Sequence, residues 1–294
     1  LPPDQVPYCP TKTGLTPSLI NECFETPTVT QPAILSKNDP RYTQDATPLI
    51  HGVRKHGKPT LDFDRALVQA SAQFWQTLLL QKKWGFEHKV QIYSIEAAAL
   101  GRPEVIGFYD WLPDDTSAGW PYNTILKEVN GVRVPATKKK HWMKYQRDPT
   151  TERPVSVEFD PLLIEHYNRD MEYRRQGILA PIVFQDVLKD EKRKVEKILK
   201  AGGTRVISMS PVTASLALRQ YTLDFTSHLR YHRISNWIAI GINPDGPEWG
   251  ILARRLLSKG NNMFTIDFTN FGPGLNADVA FEFSNMLHSF YEME

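Results

Sequence analysis

Phe184-Gln185-Asp186-Val187-Leu188-Lys189-Asp190-Glu191-Lys192-Arg193 leads, through a further basic stretch, into Gly202-Gly203-Thr204-Arg205-Val206-Ile207. The lead reads as a strand, the two glycines allow a tight turn, and a second strand is expected to end in Arg205. Residues 189–205 hold seven basic side chains (Lys189, Lys192, Arg193, Lys194, Lys197, Lys200, Arg205) against Asp190, Glu191 and Glu196. Cations on such a loop can converge on one polyanion, a triphosphate or a nucleic-acid backbone. A solvated loop is the equal alternative.

Residues 127–148 repeat the imbalance, with Lys127, Arg133, Lys138, Lys139, Lys140, Lys144 and Arg147 against Glu128 and Asp148. Two such concentrations in a chain of net charge only +2 point to a polyanion track. Trp142, Tyr145 and nearby Trp120 are candidates for stacking on bases.

The 294 residues are 41% hydrophobic and 23% charged, which excludes wholesale disorder and suits roughly two domains or one large unit. Mean hydropathy is −0.40. No apolar run approaches the ~18 residues of a bilayer span. The opening Leu1 stretch lacks the order of a secretory signal and reads as cut from something longer. Cys9 and Cys23 read as two reduced thiols rather than a bridge.

Nine of the 22 prolines lie in residues 1–48, yet Leu15, Leu19, Ile20, Phe24, Ile34 and Leu35 are spread among them. This predicts an extended arm packed on the body. Phe63, Leu67, Ala70, Phe74 and Leu78 mark a helix begun by Asp62 or Asp64. Further helices are expected from Asp160-Pro161 to Gly177, from Ser210-Pro211 through Leu229, and from Asp245-Gly246-Pro247 to Gly260. A strand over 263–268 and a last helix entered near Asn276 complete a mixed α and β, helix-rich chain.

Two motifs are weak. Gly52-Val53-Arg54-Lys55-His56-Gly57-Lys58-Pro59 nearly matches a phosphate loop, but Pro59 replaces the metal-binding hydroxyl and no apolar strand precedes it. His228 and His232 have the spacing of a two-histidine metal face without an acidic neighbour, and solvent-facing histidines are expected. Asp267, near the end of the expected strand and before a helix, stands where a carboxylate can hold a divalent cation. A plain turn or cap residue is the commoner reading of that position.

In order along the chain, these pieces resemble the N-terminal part of picornavirus-like RNA-dependent RNA polymerases, of the iflavirus and dicistrovirus type. The arm Thr11–Ser18 with Gln31–Arg41 is similar to the family's index finger. Thr116-Ser117-Ala118-Gly119-Trp120-Pro121-Tyr122 resembles the template-entrance motif, and Lys189-Asp190-Glu191 through Arg205-Val206-Ile207 the basic motif over the nucleotide channel. Gly241-Ile242-Asn243-Pro244 with Trp249 looks like the turn before the catalytic strand. Asp267 through Leu275 resembles the first palm motif.

The resemblance implies an α+β right-hand polymerase, fingers plus the beginning of the palm. It divides into an arm and index finger (1–60), fingers (61–215) and the start of the palm (216–294). It implies that Asp267, with the Phe268 carbonyl, binds catalytic Mg²⁺ or Mn²⁺, and that Lys189, Arg193, Lys197 and Arg205 line the nucleoside triphosphate. Thr116, Ser117, Lys138, Lys139 and Lys140 would meet RNA template and primer. Host cytoplasm, at membrane-associated replication complexes with other viral replication proteins, is the implied location.

Two positions depart from the family: Gly272 replaces an aspartate used in sensing the ribose, and Gly203 replaces a lysine. The sequence holds no Gly-Asp-Asp hairpin, later palm helix or thumb, so an incomplete and inactive polymerase is expected. The alternatives are a non-catalytic RNA-binding or scaffold fragment and, given Gly272, a DNA-templated or reverse-transcribing polymerase.

Overall fold

The structure is a computed structural model that describes residues 13–16, 18–20, 23, 29–80, 90–102, 110–129, 131–268 and 271–292. Readings that fall on Cys9, Thr11, Lys12, Pro17, Phe24, Thr269 and Asn270 lie outside the described residues. In chain order the elements open with β1 (Thr30–Pro32), α1 (Pro48–Val53), α2 (Arg65–Leu80) and α3 (Ile95–Leu100). Next come β2 (Leu126–Val129), β3 (Val132–Pro135), β4 (Met143–Arg147), β5 (Pro154–Phe159) and α4 (Pro161–Arg175). The rest are β6 (Gln185–Leu188), β7 (Lys192–Lys194), α5 (Val195–Ile198), β8 (Val206–Met209), α6 (Val212–Tyr231), α7 (Pro247–Leu257) and α8 (Ala277–Glu292). The strands form antiparallel pairs β1–β7, β2–β3, β4–β5 and β6–β8.

The chain forms two compact units. One gathers Leu1–Thr60, Phe184–Met209 and Asn270–Gly274. Here the N-terminal arm is built into the basic segment: Thr30 pairs with Lys194, Gln31 with Arg193 and Pro32 with Lys192. Ala33 and Ile34 are buried, and the Ile34 carbonyl accepts a hydrogen bond from Thr204 Oγ1 at 2.8 Å. Helix α1 is started by Thr47, whose hydroxyl accepts from the Ile50 amide, with Pro48 at the first helical position. Gly52 is buried in that helix, where a Cβ would overlap the Val206 side chain. The near phosphate-loop motif therefore starts inside α1, where its first glycine serves close packing, and continues as a largely exposed 3-10 turn over Arg54–Gly57.

The second unit holds Leu61–Val183, Ser210–Thr269 and Leu275–Glu294. Its core is Tyr122, Trp142, Met143, Leu163, Val212 and Leu216 with their neighbours. Local chemistry sets its helix starts. Asp160 caps α4 through the Leu162 amide at 3.0 Å, Asp64 caps α2 through the Ala66 amide at 2.8 Å, and Asn276 caps α8 through the Asp278 amide at 2.8 Å. Helix α6 starts one residue later than Ser210-Pro211 suggests. Pro211 is the cap, the Val212 amide donates to the Ala118 carbonyl at 2.9 Å, and Ser210 Oγ bonds Ser215 Oγ instead.

Three expectations fail here. Residues 263–268 are not a strand, and Met263, Phe264, Ile266 and Phe268 are exposed. A strand exists through its ladder, and among the described residues none pairs with this segment. His228 is buried at 2% exposure, with Nε2 3.0 Å from the Leu79 carbonyl and its ring edge-on to His232. Leu79 at the end of α2 and Phe290 of α8 cover His228 on that face of α6, which explains why it is not solvent-facing, and His232 is half-buried beside it. Trp142 and Tyr145 cannot stack on bases. The indole is 1% exposed and donates to the Ala136 carbonyl, and the Tyr145 hydroxyl lies within hydrogen-bond reach of the Ala99 and Leu112 carbonyls.

Candidate functional site

Strands β6 and β8 carry the basic segment. Val187 faces Ile207 and Leu188 faces Val206, and the ladder is extended by the Lys189 amide donating to the Arg205 carbonyl at 2.8 Å. Arg205 thus stands at the entrance of the second strand rather than its end, because β8 begins at Val206. The organiser is Glu191, which in sequence reads only as one of three acids within a basic run. Its carboxylate takes both forks of the Arg205 guanidinium, lies 3.2 Å from Lys189 Nζ and 3.9 Å from Arg193 Nε. Chiefly through Arg205, this holds the Glu191 carboxyl below its ordinary value. Arg193 also donates to the Gly203 carbonyl at 2.5 Å. Three of the four triphosphate candidates, Lys189, Arg193 and Arg205, therefore surround one acid. Lys197 lies apart on α5, exposed.

Gly203 explains one family departure. Its amide bonds the Lys200 carbonyl at 2.9 Å, and a Cβ there would overlap the Lys197 carbonyl oxygen. A lysine cannot occupy that position without moving the main chain at Lys197 and Lys200. The arm closes the loop from beneath, with Thr13 Oγ1 and the Gly14 amide both bonding the Asp190 carboxylate.

In the second unit, Thr116–Tyr122 forms a tight corner. Ser117 makes an antiparallel bridge with Lys138, and the Ala118 amide bonds the Thr137 carbonyl at 2.9 Å. Tyr122 anchors the far end, edge-on to Trp142 with its hydroxyl 3.2 Å from His166 Nδ1. Thr116 and Trp120 stay exposed. Lys138 and Lys140 reach outward and share Asp115, at 2.8 and 3.0 Å. These two cations hold the Asp115 carboxyl below its usual range. Lys139 turns inward, only 8% exposed, with Nζ donating to Thr116 Oγ1 at 2.6 Å and the Ser117 carbonyl at 2.8 Å.

Much of the remaining charge in 127–148 is satisfied internally. Lys127 pairs with Asp160 and lies over the Trp142 ring, and Arg147 pairs with Asp114 at 3.1 Å. Beside the corner is a cavity of about 330 Å³ lined by Trp120, Tyr122, His166, Arg169, Asp170 and Tyr173 among others, which no sequence motif announced.

Asp267 lies in the exposed 262–268 segment. Among the described residues no group of three or more His, Cys, Asp or Glu is placed to hold a metal ion. One exposed carboxylate fits a Mg²⁺ site in part, since Mg²⁺ takes one or two carboxylates from a protein and fills its octahedron with water and substrate phosphates.

The chain matches known proteins over most of its length. It is 32% identical over 268 residues to the genome polyprotein of Deformed wing virus, covering 91% of this chain and 9% of that polyprotein. It is 31% identical over 271 residues to the replicase polyprotein of Cricket paralysis virus, covering 90% of this chain and 14% of the other. The chain thus spans about a tenth of the length of these relatives. Among solved structures, a Sicinivirus 3Dpol RNA-dependent RNA polymerase superposes with a TM-score of 0.62 at 18% identity, covering 86% of this chain and 45% of that one. That likeness shares the helix-rich fold with short strands. The family described as viral RNA-dependent RNA polymerase matches residues 20–293, and the chain belongs to that family.

Proposed function

We propose that the protein carrying this chain performs template-directed RNA synthesis from nucleoside triphosphates for a positive-strand RNA virus. The observation that carries this reading is the set of Lys189, Arg193 and Arg205 gathered around Glu191, within a chain of the polymerase family. Fixed cations on a β-framework offset the charge that builds on a transferring phosphoryl group, and Glu191 keeps them in place before substrate arrives. Lys197 joins them at the triphosphate. Thr116, Ser117, Lys138 and Lys140 meet the RNA strand. Asp267 and the Phe268 carbonyl hold the cation, with Mg²⁺ or Mn²⁺ the fitting choices. When bound, the metal supplies Lewis-acid stabilisation of the attacking and leaving oxygens.

No helix among the described residues is long and apolar enough to cross a membrane. We place the protein in the host cytoplasm, at membrane-associated replication complexes with other viral replication proteins.

Binding of single-stranded RNA tests the reading. Affinity is expected to depend little on base sequence and to fall steeply with salt. About four phosphate contacts on a single strand correspond to a loss of about fiftyfold between ~50 and ~200 mM. Affinity that stays level over that range would remove the polyanion track.

The arginines give a second test, in the complete polymerase. Arg193→Lys and Arg205→Lys are each expected to lower kcat/KM for nucleotide at least about tenfold, roughly 1.4 kcal/mol. Lysine cannot reproduce the two-pronged grip Arg205 shows on Glu191. Parental kinetics in both variants would reduce these arginines to loop surface.

A further inference from the structure

We propose that Lys139 is a positioning residue for the template strand, its buried ammonium locking Thr116 and Ser117 in the form that meets RNA while making no phosphate contact of its own. This rests on the proposed role of Thr116 and Ser117. In sequence Lys138-Lys139-Lys140 is a uniform basic triplet, but in the structure the middle member differs from its neighbours. The side chains of Lys138 and Lys140 are 43% and 51% exposed and reach Asp115. Lys139 is buried, and among the described residues no carboxylate lies within ion-pair distance of it.

Burying an ammonium without a counter-charge is costly, and the molecule sustains it only where the group's donors are used. Two of the three are given to the corner, one to Thr116 Oγ1 and one to the Ser117 carbonyl. Main chain reinforces the clasp, as the Lys139 amide donates to the Thr116 carbonyl at 2.9 Å. Thr116 Oγ1 also lies 3.1 Å from the Pro113 carbonyl, to which it donates. The exposed threonine hydroxyl is therefore held by one donor and one acceptor. Burial depresses the Lys139 pKa because it disfavours the charged form, and the two hydrogen bonds to the corner act against that cost.

The test is kinetic, on the complete polymerase. Lys139→Met keeps an unbranched apolar stem of similar length and removes the donors. It is expected to raise the template KM about tenfold, within what misplacement of a contact costs, while the triphosphate KM stays within about twofold. The salt slope of RNA binding is expected to stay parental, whereas loss of a phosphate contact would lower it by about 1. Thr116→Val is expected to raise template KM as well, and the double variant to be no worse than the poorer single, because both remove one clasp. Lys139→Gln, which retains a donor, is expected to fall between parent and Met, and serves if the Met variant does not fold.

An unchanged template KM in Lys139→Met, a reduced salt slope, or additive effects in the double variant would overturn the proposal. If Thr116→Val is damaging and Lys139→Met is not, only the positioning role falls. If Thr116→Val and Ser117→Ala both leave template KM unchanged, the template role of the corner falls, and the proposal with it.

Discussion

Asp267→Asn in the complete polymerase is expected to abolish nucleotide incorporation while leaving fold and RNA affinity intact. Asparagine keeps the shape of aspartate, and Asp267 sits in an exposed segment with no hydrogen bond or ion pair to it among the described residues. Surface changes of this kind shift stability by no more than about 0.5 kcal/mol. The chemistry is affected differently. An amide oxygen carries no net charge, and a hard cation held for phosphoryl transfer is worth several kcal/mol of transition-state stabilisation. The expected loss is on the order of a thousandfold or more. Primer extension reads the loss, and thermal unfolding with RNA binding reads what is retained. Incorporation within tenfold of the parent would remove Asp267 from the metal site.

Features written in adjacent residues were legible in the sequence. Asp160-Pro161 announces α4 and Asn276 announces α8, and of the two candidates Asp62 and Asp64 the latter caps α2, since a cap is a bond between a side chain and an amide two or three residues on. The family was legible in the same way, from short ordered motifs. What depends on distant partners was not. Nothing in Thr30-Gln31-Pro32 says that it pairs with Lys192–Lys194, far along the chain. The triplet Lys138–Lys140 reads as one patch until its middle member is found inside. Glu191 reads as a stray acid in a basic run, though three cations are arranged on it. Residues 263–268 show the opposite error, a strand pattern without a ladder. Periodicity records which side chains tolerate a pleat, and pairing decides whether one forms.

Gly119→Ala is expected to be the most destabilising of the conservative substitutions in the Thr116–Tyr122 corner, by about 3–5 kcal/mol. Two costs add. Gly119 has φ +72°, where an L-residue is strained by roughly 1–2 kcal/mol. A Cβ would also overlap the Ser210 carbonyl oxygen and lie 2.7 Å from the Ser210 carbonyl carbon and 2.8 Å from Pro211 Cα. All three are main-chain atoms at the start of α6, so no side chain can swing aside. Gly131 isolates the first cost: it has φ +77°, and nothing lies within 4 Å of its Cβ position. Gly131→Ala should therefore lose only the roughly 1–2 kcal/mol of backbone strain. Urea unfolding of the two variants measures the difference, and equal losses would show that the close approach to α6 carries no weight. The Gly119 amide bonds Ser117 Oγ at 3.2 Å, and the Ala118 carbonyl accepts from Val212. Movement of Gly119 away from α6 therefore strains the bond that starts the helix and the serine proposed to meet the template, so loss of stability and loss of RNA affinity should appear together.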